Sequence, residues 1–172
     1  CDLHGRLWVG TFDGLFCLDT RQKEFSDNSF LHFSLTNHHL PANDVSCICT
    51  SPDGSIWIGT GGTGVIHCRL TGQKLTYRQF STQQGLSNNY IHSIASDLKG
   101  GIWIGTESGL SHLKANEENS ERVRTYQLSQ DFRGNIFSDN SAVLLSTGTL
   151  LFGTSHGLAV IKPESKRQHS SV

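Results

Sequence analysis

An all-β chain built from four tandem units of short antiparallel strands is what this sequence predicts, and three observations predict it. The first is internal repetition, which decides architecture before any local propensity does. Four segments, Gly5 to Gly14, Gly54 to Gly64, Gly100 to Gly109 and Gly148 to Gly157, align without forcing. Each opens on a Gly three residues before a large apolar residue: Trp8, Trp57, Trp103 and Leu151. Each then reads Gly-Thr two residues further on and closes on a Gly followed by Leu15, Val65, Leu110 or Leu158. The apolar anchors stand 49, 46 and 48 residues apart. The second observation is that no stretch shows the 3.6-residue period of an amphipathic helix, which excludes helical solenoids. The third is turn chemistry: 18 Gly against 3 Pro implies many turns and no disordered tract.

Each unit reads as four strands in order. Val45 to Cys49 and Ile91 to Ala95 are short runs of β-branched and small residues, the first strand. Ser51-Pro52-Asp53-Gly54 has Pro at the second and Gly at the fourth turn position, a type I signature; Asp97 to Gly100 and Asp2 to Gly5 fill the same slot. The second strand, Ile56-Trp57-Ile58 or Ile102-Trp103-Ile104, is apolar at consecutive positions, so both of its faces must be covered. A Gly-rich turn leads to a third strand such as Leu15 to Leu18. A more polar fourth strand ends the unit: Phe30 to Phe33, Leu75 to Phe80 or Val123 to Tyr126. Four antiparallel strands recurring about every 45 residues is the blade of a β-propeller. The expectation is about 14 strands over residues 1–172, in units 1–36, 37–82, 83–130 and 131–165, with 166–172 a polar tail. The first and last units are expected to be incomplete, the chain starting before the second strand of unit one and ending soon after the third strand of unit four.

Recurrence also argues against reading the aromatic anchors as ligand platforms. A Trp at one fixed place per blade, flanked by Ile or Val, is what blade-on-blade packing requires, and truncating one to Ala would cost ~3–5 kcal/mol. The Gly-Thr pair reads as a tight turn with a Thr hydroxyl bonded to nearby backbone. His67 and His112 fall where Cys17 and Val160 stand in other copies, which marks a packing position. The five cysteines, Cys1, Cys17, Cys47, Cys49 and Cys68, are odd in number and cannot all pair internally. They read as small buried hydrophobes; a metal site from Cys47, Cys49 and His67 lacks the spacing such sites use.

Formal net charge is −1, from 14 Lys+Arg against 15 Asp+Glu, which gives no electrostatic reason to expect nucleic acid or a membrane surface as partner. No stretch approaches the ~20 apolar residues of a membrane span. The chain has no Met and opens on Cys1, so its start codon is expected elsewhere, and the lack of a signal peptide carries no information on compartment.

The runs Leu40 to Ile48 with Ser51 to Thr60, and Leu86 to Ile94 with Asp97 to Leu110, resemble the two-component regulator propeller repeat. The first copy matches from Asp2 onward. The last copy, Asn135 to Pro163, departs: Asp139 is aligned with Val45 and Ile91, and Leu151 replaces Trp, a form similar to the terminal blade of such arrays. The resemblance implies that this is part of a seven-bladed propeller, the extracytoplasmic sensor of a hybrid two-component histidine kinase and response regulator. It implies a periplasmic location, a parent protein anchored in the inner membrane, and a glycan or oligosaccharide as the sensed ligand. The remaining blades of the same propeller would be its first partner and a homodimer its second. Two other readings stand beside it: a protein–protein interaction propeller, and a propeller lyase or hydrolase. No G-x-S-x-G, H-E-x-x-H, P-loop or paired-carboxylate motif is present, so no catalytic residue, metal or cofactor is assigned.

Ligand contact in a propeller is expected on the face where the loops entering the innermost strands meet the turns joining strands two and three. The first set is Thr36 to Asp44, Gln83 to Tyr90 and Ser129 to Ser138. The second is Phe12-Asp13, Gly61 to Thr63, Glu107-Ser108 and Ser155-His156. These loops differ between copies while the strands stay alike. Phe12, Asp13, Asn43, Asn89, Tyr90, Glu107 and His156 offer the aromatic faces, amides and carboxylates a neutral glycan needs. The competing reading is that Asn43 and Asn89 cap turns and Tyr90 packs beside Ile91.

Overall fold

In the computed structural model, which describes residues 1–37, 39–114, 122–126 and 136–163, the repeats become four separate antiparallel sheets. The first holds β1 (Arg6–Thr11), β2 (Gly14–Asp19) and β3 (Phe30–Phe33). The second runs β4 (Val45–Thr50), β5 (Ile56–Thr60), β6 (Val65–Thr71) and β7 (Lys74–Phe80). The third runs β8 (Ile91–Ser96), β9 (Ile102–Thr106), β10 (Gly109–Lys114) and β11 (Arg122–Tyr126), and the fourth β12 (Phe137–Leu144), β13 (Leu150–Thr154) and β14 (Gly157–Ile161). Sequential strands are spatial neighbours throughout, and β4, β8 and β12 pack against one another as the innermost strands. The expected polar tail at 166–172 and most of the expected loop Ser129 to Ser138 lie outside the described residues.

The turns close as their residues dictate. Gly54 N–H donates to Ser51 O at 2.9 Å, Gly100 to Asp97 at 3.1 Å, Gly5 to Asp2 at 3.2 Å and Gly148 to Leu145 at 2.9 Å. In two units the first turn residue also holds the tryptophan six positions on. Asp97 Oδ2 accepts from Trp103 Nε1 at 3.0 Å while its Oδ1 accepts from the backbone of Lys99 and Gly101 at 2.8 Å each. Asp2 does the same for Trp8, at 2.9 Å. Burial opposes ionisation of Asp2, but the bonds from Trp8, the backbone N–H groups of Arg6 and His4 and the Arg6 side chain outweigh it and bring its carboxyl down to about 2.

Cores form between sheets. Trp8, Leu15, Cys17 and Phe33 of unit one close on Val45, Ile56, Ile58 and Ile66 of unit two. Trp57, Val65 and Phe80 close on Ile91, Ile102 and Ile104, and Trp103 and Leu110 on Phe137, Leu150 and Phe152. Thus units one to three each offer a Trp-bearing face to the next unit, which meets it with the two residues flanking its own anchor: Ile56 and Ile58, Ile102 and Ile104, or Leu150 and Phe152. The tryptophans stack on their cross-strand partners: Trp57 on His67 and Trp103 on His112, both with centroids 4.1 Å apart. Cys17 and Val160 are the corresponding partners of Trp8 and Leu151. Cys17, Cys47 and Cys68 are buried and unpaired, and burial pushes their thiols up to about 11, 12 and 12.

Two expectations are corrected. The Gly of the recurrent Gly-Thr pair is a strand residue, not a turn residue. A Cβ at Gly59 would strike Cys47 and Ile91, and one at Gly105 would strike Phe137, so glycine is needed for the close approach of the inner strands. The Thr behaves as expected in three copies, donating to Gly14, Gly64 and Gly109 carbonyls, whereas Thr154 Oγ1 is buried without a partner. The second correction concerns Asp139. Val45 and Ile91 pair with Thr60 and Thr106, and the residue pairing with Thr154 is Phe137. Unit four then carries four residues, 138–141, between its paired Phe137 and Ala142, where unit two has only Ser46 and Cys47 between Val45 and Ile48. The longer bulge includes Asn140 at φ 52 and lifts Asp139 out of the apolar register.

Candidate ligand-binding rim

The two loop sets do share one end of the sheets. Gly14 N–H donates to Asn43 O at 2.8 Å and Gly64 N–H to Asn89 O at 3.0 Å, so each entering loop sits on the preceding unit's turn. Asn43 Oδ1 accepts from Leu35 N–H at 2.6 Å and Asn89 Oδ1 from Thr82 N–H at 2.8 Å. Both carboxamides therefore fasten loops in the same way in both copies, with their NH2 ends left for other contacts.

The other rim residues divide into an outer and an inner group. Phe12 and Asp13 form the exposed tip of the β1–β2 turn, with Asp13 O and His32 Nε2 2.6 Å apart. His156 sits on the β13–β14 turn with its Nδ1 2.9 Å from Ser155 Oγ. Tyr90 and Glu107 stand nearer the inner strands. Tyr90 is 52% exposed, and its ring borders the position a Cβ would take at Gly62. Glu107 Oε2 lies 2.7 Å from His92 Nε2, and His92 Nδ1 lies 2.6 Å from Asp139 Oδ1. The structure thus brings Tyr90 and Glu107 to one cluster and leaves Phe12, Asp13 and His156 on separate turns.

Sequence reasoning missed two sets of residues here. One is the pair His92 and Asp139, joined only by the long bulge of β12. The other is Gln79 and Ser81, which join Asn89 and the loop residues Gly62, Thr63, Gln83 and Gln84 around a depression of about 360 Å³ over unit two. Every polar group in it is neutral. Gln79 Nε2 donates to Thr63 O at 2.8 Å, and Gln84 Oε1 accepts from Ser81 N–H and Oγ at 2.9 Å each, so both amides are fixed with their other ends outward. The available signal was a run of amides, Gln79, Gln83 and Gln84, at the end of one fourth strand and the loop after it. At the opposite end, a cleft of about 670 Å³ between units one and two is charge-balanced: Arg6, Arg21 and Arg69 each meet an aspartate, Asp2, Asp19 and Asp53, at 2.6–2.7 Å.

Residues 39–62 and 85–108 match the two-component regulator propeller family. These are two-component regulator propeller repeats. Histidine kinase P4 of Formosa agariphila is 31% identical over 122 residues, covering 68% of this chain and 9% of that kinase. The extracellular domain of a hybrid two-component system of B. thetaiotaomicron is 25% identical with TM-score 0.74, over 95% of this chain and 21% of that one. The extracellular domain of a one-component system of the same organism shares the fold, with TM-score 0.58 at 20% identity, over 94% of this chain and 26% of that one. The chain therefore spans a small part of the length of each relative. Within the regulator propeller repeats, the matched segments contain Asn43, Asn89, Tyr90, His92 and Glu107. Phe12, Asp13, His156 and Asp139 lie outside them. No helix among the described residues is long and apolar enough to cross a membrane.

Proposed function

We propose that this chain is the ligand-sensing propeller segment of a hybrid two-component sensor. It would work outside the cytoplasm, in the periplasm, and pass ligand occupancy to a histidine kinase carried elsewhere in the protein. The ligand class we infer is a neutral oligosaccharide. The observation that carries this reading is the depression over unit two, lined by amides and hydroxyls without an ionisable group and bordered by the exposed ring of Tyr90. Each sugar hydroxyl both donates and accepts, and a carboxamide presents both functions side by side; an aromatic face covers the apolar C–H side of a pyranose. Its volume lies within the range of small-ligand sites, at their shallow end. In this reading the segment binds and does not catalyse, its partners are the neighbouring blades, and the match to the extracellular domain of a hybrid two-component system supports the sensor role.

The test is isothermal calorimetry on the full sensor with cellotetraose, xylotetraose and laminaritetraose. Tyr90→Ala and Gln84→Ala are expected to weaken binding of the responsive sugar about tenfold or more, the loss of one stacking or bidentate contact. Glu107→Ala should do so only if the ligand also reaches the inner group. Unchanged affinity in Tyr90→Ala and Gln84→Ala, with the fold retained, would move the site to another part of the array.

A further inference from the structure

His92 occupies the bulge of β8, the residue added between Ile91, paired with Thr106, and Ser93, paired with Gly105. Ser46 holds the same place in unit two, and its Oγ donates to Ile91 O at 2.7 Å, across the boundary to unit three. The bulge position is therefore where one unit is tied to the next. In unit three the tie is ionic. His92 reaches Glu107 of its own unit through Nε2 at 2.7 Å and Asp139 of unit four through Nδ1 at 2.6 Å.

A carboxylate at hydrogen-bond distance from both ring nitrogens admits only one protonation state. Neutral imidazole carries a single N–H; the second nitrogen would turn its lone pair toward a carboxylate oxygen. Only the imidazolium donates to both. The ring is 15% exposed, Glu107 45% and Asp139 73%, so the acceptor from unit four is the one that water replaces more readily. Asp139 also lies in the irregular stretch 138–141, outside regular pairing, where Asn140 holds a left-handed conformation.

The charge on the ring is stabilised by Asp139 and Glu107. Tyr90 stands on its own side, with ring centroids 6.3 Å apart. From the β4 side come the Cys47 thiol, pushed up to about 12 by burial, and Asp44, which packs against Gly61 beside Tyr90.

We propose that His92 is a protonation-operated tie between units three and four. As imidazolium it holds Glu107 and Asp139 together at the rim; as neutral imidazole it keeps one carboxylate and lets Asp139 and the bulge of β12 swing free. Burial opposes the charge on His92, but the bonds from Asp139 and Glu107 outweigh it and raise its pKa above the ordinary 6.5. The tie is therefore fully made below 6.5 and is lost as pH rises through the higher folded value. This inference stands apart from the oligosaccharide reading, since it requires no ligand.

The experiment is an NMR titration of the full chain, following the His92 ring proton and the backbone amides of Ser138 to Ala142. The His92 midpoint is expected above that of the same residue in the urea-unfolded chain, and the β12 amides should shift with that midpoint. Asp139→Asn, a surface change, should lower the midpoint. His92→Gln should abolish the coupled shift of the amides. A His92 midpoint at or below the unfolded value would overturn the tie, as would β12 amides that do not follow it or that still titrate in His92→Gln.

Discussion

Three histidines of this chain show how one side chain serves opposite electrostatic ends. His67 and His112 lie flat on Trp57 and Trp103, and their Nε2 atoms are buried without partners. His112 Nε2 stays 3.8 Å from Asp97 Oδ2, too far for a hydrogen bond. Burial lowers the pKa of both, against the pull of Asp53 on one and Asp97 on the other. They act as flat apolar plates, which is why Cys and Val serve at the same place in units one and four. Their linkage runs opposite to that of His92. Stability they permit is present above 6.5 and is lost as pH falls from 6.5 through their lower folded values, because the unfolded chain takes up protons first. Urea unfolding at pH 7 and pH 5 should show this directly. The native chain is expected to lose stability on acidification, and His67→Val with His112→Val should lose less, whatever its stability at pH 7. An equal loss in both chains would mean that the two imidazoles are charged in the fold.

At the scale of the element, the strands and their turns were legible because each is fixed by local chemistry. Consecutive apolar residues at Ile56 to Ile58 demanded cover on both faces, and Ser51 to Gly54 could only turn. What was not legible depended on partners distant in sequence. Gly59 and Gly105 look like turn residues until Ile91 and Phe137 of the next unit are placed against them. Asp139 was aligned with Val45 because the repeat was matched by counting, and two additional bulge residues shift the count. The rim was half legible for the same reason. Loop position placed Tyr90 and Glu107 on the rim, while His92 and Asp139 meet across a unit boundary and Gln79 belongs to a fourth strand. The close approach of inner strands gives a sharp expectation. Gly59→Ala adds one methyl group between Cys47 and Ile91, and should cost about 1–3 kcal/mol by overpacking, read as a lower urea midpoint. A neutral outcome would show that the inner strands have slack.

The whole molecule is a stack in which each unit completes its neighbour, and the two end units show what lacks completion. In unit two Ile56 and Ile58 are wholly buried by unit one; the equivalent Leu7 and Val9 of unit one are exposed. In units two and three Val65 and Leu110 are buried by the following unit; the equivalent Leu158 of unit four is exposed, as is Val160 at 56%. The two bare faces are of the two kinds that pair at every internal boundary: an aliphatic-pair face on unit one and an anchor face on unit four. In a longer protein of the length of its relatives, further blades would cover them. On the chain alone, the face of unit four can receive unit one of a second copy. Such a contact is heterologous, the same patch on one copy never meeting itself, so it adds copies head to tail unless the ring closes. Exposed apolar sheet faces are association sites in water. Sedimentation velocity over a concentration series should therefore show self-association of the isolated chain, and Val160→Lys should suppress it, since a charge there cannot be buried without a partner. The same substitution should leave the three internal cores intact, because Val160 belongs to none of them. A native chain that remains a thermostable monomer at all concentrations would show that the two faces tolerate water, and the stack would then be sufficient by itself.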